Sequence, residues 1–208
     1  FAELHAAVPG LPLASSRVLP GVVLRRDFAA YCPADGELRA RAPAARPDVP
    51  QRRVFVDSEG LYQASLRWIS ERTEASMKHL QSNNVKLLLS SVMQEEVVIY
   101  YAKLYGVPVV ECLSSEEMAL ISEITGVSPY APFGDNMDRE ITETAAVTFC
   151  QPLLLVSKRC IHIGFSVCVF QPHCLILCGL VDGVNEQHVA ALQEAFTVLQ
   201  QLFKTLDQ

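Results

Sequence analysis

Three kinds of sequence feature are missing from or scarce in this 208-residue chain, and each argues against a class of function. No Gly-x-Gly-x-x-Gly or Gly-x-x-x-x-Gly-Lys-Ser/Thr pattern occurs, so the chain carries no signature of a phosphate-binding loop. No uninterrupted apolar stretch approaches the roughly 20 residues that a membrane-spanning helix needs. Positive charge is scarce, with 17 Lys and Arg residues against 23 Asp and Glu residues and a net charge of −6. This balance argues against a nucleic-acid surface, which is normally basic.

The seven cysteines are irregularly spaced and contain no Cys-x-x-Cys pair, which structural zinc sites usually contain. Disulfide frameworks are typical of much smaller domains with an even number of cysteines. Five cysteines nevertheless cluster in the last third of the chain, near His162 and His173. We expect them to be reduced thiols that pack as small apolar side chains, and we expect no metal site.

The chain does contain enough apolar residues to form a hydrophobic core. Half of the residues are hydrophobic and the mean hydropathy is +0.21, which indicates a globular chain. The first residues, Phe1 to His5, contain no initiator Met and no signal-peptide pattern. We therefore expect this chain to be a piece of a longer protein.

The most informative region lies between Val85 and Gly126. Val85–Ser91 and Val107–Glu111 are short apolar runs that predict buried strands, and Gln94–Tyr105 between them predicts a helix. A strand, a helix and a strand at this spacing form a parallel crossover. The pattern therefore predicts an α/β fold, in which strands are flanked by helices.

The helix between these two strands is apolar on nearly every side. Its apolar side chains are Val97, Val98, Ile99, Tyr100, Tyr101, Leu104 and Tyr105. A crossover helix needs only one apolar stripe, so the surplus indicates a surface that binds a partner. The best contact candidates are Tyr100 and Lys103, followed by Glu96 and Ile99, because Tyr combines apolar area with a hydroxyl group. For each of them, ordinary core packing or solvent exposure is the alternative.

The segments before this region give weaker signals. Ser16–Asp27 predicts two short strands with a bend at Pro20-Gly21. Cys32–Pro50 contains four prolines and several arginines, which predicts an exposed loop; a docking patch for anions is the less favoured alternative. Val54–Val56 predicts a strand, and Leu61–Gln81 predicts a long amphipathic helix. Its stripe consists of Tyr62, Leu66, Ile69, Thr73, Met77 and Leu80, and Trp68 beside it is expected to anchor the core.

The C-terminal half begins with a well-marked helix. Ser114 and Glu117 form a capping-box pattern, Met118, Ile121 and Thr125 share one face, and Gly126 is suited to end the helix. Strands are predicted at Ala145–Phe149, Leu153–Val156, Ile161–Val169 and Cys174–Cys178. The last element, Asn185–Leu206, predicts a helix whose apolar stripe is Val189, Leu192, Phe196, Leu199 and Phe203.

This order of elements resembles the group II chaperonins. Ser16–Asp27, with its Gly-Val-Val-Leu run, is similar to the segment that enters the chaperonin apical domain. The two strand–helix units and the closing strand and helix follow the same order. A closer resemblance is to the chaperonin-like proteins of the Bardet–Biedl syndrome group. The segments that carry it are Gly10–Pro12, Pro33–Gly36, Asn84–Leu88, Val110–Glu117 and Gln200–Lys204.

The resemblance implies an apical domain at residues 17–173, with intermediate-domain segments at residues 1–16 and 174–208. Apical domains bind non-native polypeptides or partner proteins, and here Glu95–Tyr105 matches part of the client-binding face. The ATPase of the family lies in an equatorial domain that this chain lacks, so ATP is expected only in the parent protein. The stretch Arg39–Arg53 stands where the family carries a helical protrusion, but it is short and broken by proline.

The same resemblance implies a non-catalytic role in assembling a ciliary complex, the BBSome. Its implied partners are other chaperonin-like subunits, the cytosolic chaperonin and BBSome components as clients. Its implied location is the cytoplasm, at the centrosome, basal body or base of the cilium. A narrower version of this role is a module that binds only folded sister subunits.

The alternative from a different class is an α/β enzyme domain that binds a small molecule. Ligands in such sheets bind beyond the carboxyl ends of the strands, where Ser90, Ser91 and Glu111 are expected. Cys112 follows directly, but a thiol at the end of an apolar strand is usually inert. The histidines have no nucleophile or carboxylate pattern around them, so we expect no catalytic residue in this chain.

Overall fold

The computed structural model describes residues 4–33, 38–41, 59–128, 144–166 and 169–206. The strands in these ranges are β1 (His5–Pro9), β2 (Arg17–Pro20), β3 (Val22–Leu24), β4 (Leu38–Arg41), β5 (Val85–Leu89), β6 (Val109–Val110), β7 (Ala145–Leu155), β8 (Lys158–Phe165) and β9 (His173–Gly179). The α-helices are α1 (Glu59–Ser82), α2 (Glu96–Leu104), α3 (Ser115–Thr125) and α4 (Asp182–Leu206). Among the described residues, no helix combines the length and the apolar character needed to cross a bilayer.

The chain divides into two compact units. Unit 1 comprises Phe1–Asp27, Gln151–Gly164 and Phe170–Gln208, and unit 2 comprises Phe28–Cys150 and Phe165–Val169.

Unit 1 is built around strand β9. In a three-stranded sheet, β1 pairs with β9 in parallel and β2 pairs with it in antiparallel orientation, while α4 packs on β1 and β9. Strand β3 pairs with β8, and the backbone turns sharply between β2 and β3 at Gly21, where φ is +91°. The predicted bend at Pro20-Gly21 is thereby confirmed. The buried core residues are Ala6, Val8, Val23, Leu155, Cys160, Cys174, Ile176 and Cys178.

Cysteine packing in this core follows the sequence-based prediction. Cys160, Cys174 and Cys178 are free thiols buried among aliphatic side chains. Burial raises the pKa of Cys174 to about 11, so this thiol stays protonated near neutral pH and behaves as a small apolar group.

Unit 2 contains the crossover that the sequence predicts. Strand β5 pairs in parallel with both β4 and β6, and β4 pairs in antiparallel orientation with β7. Helix α2 connects β5 to β6, and α1 packs against α2 and β5. The α/β fold class is therefore confirmed, although β6 has only two residues.

Two loop and strand predictions are wrong within the described residues. Leu38–Arg41 was expected to lie in a loop but forms strand β4, because its backbone bonds to β5 and β7 complete a ladder that local composition does not reveal. Ala145–Leu155 is one strand rather than two, and Pro152 is an exposed residue within it. Residues 42–58 lie outside the described residues, and with them the predicted strand Val54–Val56 and most of Arg39–Arg53.

The expected core position of Trp68 is also wrong. Its side chain is 60% exposed, and its ring centre lies 5.3 Å from the guanidinium carbon of Arg72. In this cation–π contact the guanidinium lies over one face of the ring, while most of the ring stays exposed. The predicted segments 1–16 and 174–208 both fall in unit 1, and their assignment to an intermediate domain stays a prediction.

Candidate protein-binding surface

The loop that leads into α2 is fixed by side-chain hydrogen bonds. Ser90 Oγ donates to the Val92 carbonyl at 2.9 Å, and Gln94 Nε2 donates to Ser90 Oγ at 2.7 Å. The backbone amide of Gln94 donates to Glu111 Oε2 at 2.8 Å. Ser90 and Glu111, which the alternative prediction of an enzyme places beside a small-molecule ligand, therefore hold this loop in place at the ends of β5 and β6.

The inner face of α2 packs on the core of unit 2. Ala102 is fully buried, and the core cluster beneath the helix includes Met77, Leu88, Val107 and Val109. Three further apolar side chains of the helix and its C-cap residue pack against this cluster: Val98, Ile99, Tyr101 and Tyr105. Much of the apolar surplus predicted for this helix is therefore core packing.

Two hydrogen bonds join α2 and its C-cap residue Tyr105 to α1, and an ion pair within α1 adjoins one of them. The hydroxyl groups of Ser70 and Tyr101 lie 2.8 Å apart, and Tyr105 donates a hydrogen bond to Glu74 Oε1 at 2.9 Å. Lys78 Nζ lies 2.7 Å from the same Glu74 oxygen. The hydrogen bond from Lys78, followed by the one from Tyr105, lowers the pKa of the Glu74 carboxyl. These contacts fix how α1 and α2 lie against each other.

Three of the four predicted contact residues are exposed on the outer face of α2, and their role in binding stays a prediction. Glu96, Tyr100 and Lys103 are exposed and lie in one row, at spacings of four and three residues. Tyr100 is 62% exposed, and Leu104 beside it is 61% exposed. Ile99 instead contacts the core cluster, so its side chain is only partly accessible.

The first half of α1 carries apolar residues that the sequence analysis placed in the core. Every side chain from Tyr62 to Ile69 is exposed. The large apolar ones are Tyr62, Leu66, Trp68 and Ile69. Further along the same stripe, Met77 is buried. The stripe is therefore buried at one end of the helix and exposed at the other.

Helix lengths explain this difference. At about 1.5 Å of rise per residue, the 24 residues of α1 extend roughly 36 Å and the 9 residues of α2 roughly 14 Å. The shorter helix therefore covers less than half of the longer one. The lengths predicted from sequence, 21 residues for Leu61–Gln81 and 12 for Gln94–Tyr105, indicated that α1 is the longer helix, but they would have let α2 cover more than half of it.

Comparison with solved structures establishes the fold. The chain matches the open-state monomer of a group II chaperonin from Methanococcoides burtonii with a TM-score of 0.69 and 13% sequence identity. The match covers 95% of this chain and 44% of the chaperonin chain. The chain therefore has the fold of part of a group II chaperonin, as the sequence resemblance implied. No protein-family model matches it.

Sequence comparison finds relatives that are similar to the whole of this chain. The chain is 50% identical over 212 aligned positions to the BBSome complex assembly protein BBS10 of Pongo abelii, 49% identical to that of Homo sapiens and 47% identical to that of Mus musculus. Each match covers the whole of this chain but only 29% or 30% of the relative. The resemblance to a chaperonin-like protein of the Bardet–Biedl syndrome group is thereby confirmed.

Proposed function

We propose that this chain is the apical, protein-binding part of a chaperonin-like polypeptide that assists assembly of the BBSome. Support comes from the group II chaperonin fold and from the similarity to proteins named for BBSome assembly. The observation that carries the proposal is the exposed apolar surface of α1 and α2. Its large apolar members, together called the α1–α2 surface, are Tyr62, Leu66, Trp68, Ile69, Tyr100 and Leu104.

The residues of this surface have different roles in the proposal. Tyr100 is the anchor, because its ring supplies apolar area and its hydroxyl supplies a hydrogen bond. Glu96 and Lys103 flank it in the same row and orient the partner through their opposite charges. Ile99 acts indirectly, because it packs against the core and thereby holds the outer face of α2 in position.

The size of the surface suits binding of a protein. Fully burying one large apolar side chain contributes about 1.5–3 kcal/mol. The six side chains are 37–62% exposed, so covering their exposed parts supplies roughly 5–9 kcal/mol before the costs of association and ordering are subtracted. Affinity therefore depends on a few well-packed contacts, with Tyr100 and Trp68 the strongest candidates because Tyr and Trp are enriched at binding hot spots.

We propose BBSome components as clients, and other chaperonin-like subunits and the cytosolic chaperonin as partners. The proposed location is the cytoplasm near the basal body at the base of the cilium. The chain contributes binding and no catalysis, and any ATP binding belongs to other parts of the polypeptide. Isothermal calorimetry with ATP tests this last point, since a saturable binding heat from this chain would contradict it.

A narrower function is binding of folded sister subunits alone. The exposed part of α1 is a helix with Tyr62, Leu66 and Ile69 in one row, and such a row fits a groove or a helix face on a folded partner. An unfolded client needs no such match in shape. The two functions use the same surface and differ in what it captures.

The experiment places a photoreactive amino acid at Tyr100 of the full-length polypeptide and cross-links in lysate of ciliated cells. The matched control carries the same probe at Glu123, an exposed position on α3 in the same unit. Selective capture of BBSome components or chaperonin-like subunits at Tyr100 supports the proposal. Capture of only folded chaperonin-like subunits favours the narrower function. Equal products from the two positions would show that the α1–α2 surface does not bind a partner.

A further inference from the structure

Strand β1 lies at an edge of its sheet in unit 1. In the strand order β1-β9-β2, β9 lies on one side of β1, and no described strand lies on the other side. The Leu175 amide donates to the Leu4 carbonyl, and the Gly10 amide donates to the Gly179 carbonyl. Because alternate residues of a strand bond to the same neighbour, the backbone amide and carbonyl of Ala7 point away from β9. We call this side of β1 the open edge.

A cleft with a volume of about 570 Å³ follows the open edge. Strand β1 contributes His5 and Ala7 to its lining, and the remaining residues come from both sides of the sheet. On one side are Arg25, which follows β3, and Lys158 of β8. On the other side are six residues of α4, which packs on the opposite face of β1 and β9: Asp182, Asn185, Glu186, Val189, Ala190 and Gln193. Since β9 fills the inner side of β1, a cleft with two such walls lies at the open edge.

The two walls of the cleft carry opposite charges. Arg25 and Lys158 form a basic wall, and Asp182 and Glu186 form an acidic wall on successive turns of α4. All four side chains are exposed. Successive side chains of an extended chain point to opposite faces. A strand that lies along the open edge therefore presents alternate side chains to the basic wall and to the acidic wall.

The α4 wall also contains a buried amide without a partner. Asn185 is 1% exposed, and neither its Nδ2 nor its Oδ1 has a hydrogen-bond partner among the described residues. A buried polar group that is left unpaired costs about 1–3 kcal/mol. A polar side chain placed in the cleft can supply a donor and an acceptor at this wall. The amide is therefore an indication of a polar ligand that is independent of the open edge.

We propose that the cleft binds an extended segment of a partner protein, in which acidic and basic residues alternate, as an added strand on β1. Backbone hydrogen bonds to Ala7 supply affinity in this mode of binding, and the two walls select the side chains. Pro9 has no N–H group, so the added strand pairs along the part of β1 that precedes it. A segment with one sign of charge, or an apolar helix, would match only one wall or neither. The site belongs to unit 1 and is independent of the α1–α2 surface.

The first test measures peptide binding to the full-length polypeptide by fluorescence anisotropy. The probe is a labelled eight-residue peptide in which Lys and Glu alternate. One control peptide has four Lys followed by four Glu, so its composition and net charge are the same. A second control is the alternating peptide with every backbone amide N-methylated, which removes the donors that strand pairing needs.

The alternating peptide is expected to bind at least about tenfold more tightly than either control, which corresponds to about 1.4 kcal/mol. Equal binding of the peptide with separated charges would contradict selection by the two walls. Equal binding of the N-methylated peptide would contradict strand addition. If the alternating peptide shows no saturable binding, the whole proposal is overturned.

The second test changes the protein. Ala7→Pro removes an N–H group that points away from β9, and Pro is tolerated on edge strands, so the variant should fold and lose peptide binding. Exchange of the β9 amides reports whether the sheet stays intact; if it does not, the N-methylated peptide tests the same contact from the side of the ligand. Arg25→Glu should weaken binding at least about tenfold, whereas Arg17→Glu, an equal change at an exposed position on β2, should not. Unchanged binding in Ala7→Pro or in Arg25→Glu overturns the proposal.

A second copy of the chain is the competing occupant of the open edge. Sedimentation of the full-length polypeptide without peptide tests it. Self-association that Ala7→Pro abolishes would assign the open edge to a second copy and overturn the proposal. Peptide binding with no such self-association supports a separate partner protein.

Discussion

Tyr105, the C-cap residue of α2, donates a hydrogen bond of 2.9 Å to Glu74 on α1, and Lys78 contacts the same carboxylate oxygen at 2.7 Å. One carboxylate thus joins the two helices that form the proposed binding surface. From Tyr62 to Ile69, α1 extends past this contact and its side chains are exposed. The geometry of the α1–α2 surface therefore depends on a contact made away from its exposed apolar residues.

Acid is expected to weaken the contact between α1 and α2. The hydrogen bonds from Lys78 and Tyr105 hold the pKa of Glu74 below its ordinary value of 4.5. A carboxyl with a lowered pKa stabilises the folded state above its unfolded pKa, and this contribution is lost as the pH falls through the folded pKa. Urea denaturation of Glu74→Gln and the unmodified chain at several pH values is the measurement.

The difference in stability between these two proteins should be largest near neutral pH and should shrink as the pH falls below about 4.5. Glu71→Gln, which removes one exposed negative charge from the same helix, controls for the change in net charge. A difference between Glu74→Gln and the unmodified chain that stays constant across the acid range would contradict the assigned contact.

Two glycines in the left-handed region should differ in their tolerance of a side chain. A Cβ at Gly21 would overlap the carbonyl oxygen of Ile163 across the β3–β8 pair, whereas a Cβ at Gly10 meets nothing within 4 Å. Gly10→Ala carries only the conformational cost of about 1–2 kcal/mol. Gly21→Ala adds a backbone clash and is expected to lower the free energy of unfolding by on the order of 4 kcal/mol.

Thermal or chemical denaturation of the two alanine variants measures this difference. Because φ is +86° at Gly10 and +91° at Gly21, the backbone cost is matched and the clash is the variable. Equal destabilisation would show that the close approach of Gly21 to Ile163 is absent.

The stability of the N-terminus of α3 should depend on the hydroxyl group of Ser114. Ser114 Oγ accepts a hydrogen bond from the Glu117 amide at 3.1 Å, and Glu117 Oε2 accepts one from the Ser114 amide at 2.8 Å. Ser114→Ala is expected to lower the free energy of unfolding by about 1 kcal/mol. Ser115→Ala, at the next and exposed position, is the control and should stay within about 0.5 kcal/mol.

Trp68 should affect binding and leave the fold unchanged. Since its ring is largely exposed, Trp68→Ala is expected to change the free energy of unfolding by less than about 0.5 kcal/mol. If the ring is buried against a partner, the same change should weaken capture of that partner at least about tenfold. Quantitative pull-down with Gln63→Ala as a control on the opposite side of α1 measures this. A large loss of stability in Trp68→Ala would place the ring in a core.

The sequence by itself determined the features that neighbouring residues control. The capping box at Ser114 and the left-handed end at Gly126 define α3, because cap geometry involves only residues a few positions apart. The bend at Gly21 is equally local, since it requires a residue that tolerates a positive φ. The crossover around α2 followed from alternating apolar segments of suitable length, and it predicted the α/β fold.

Only the tertiary structure decided which side of each helix is covered. Ile99 and Tyr100 are adjacent and both apolar, yet Ile99 packs on the core and Tyr100 faces solvent, because the rotation of α2 is set by β5, β6 and α1 together. The stripe of α1 is buried at Met77 and exposed at Leu66, because α2 is too short to cover both. Periodicity shows that a face can be buried, whereas burial itself requires a second surface, which is supplied by parts of the chain far away in sequence.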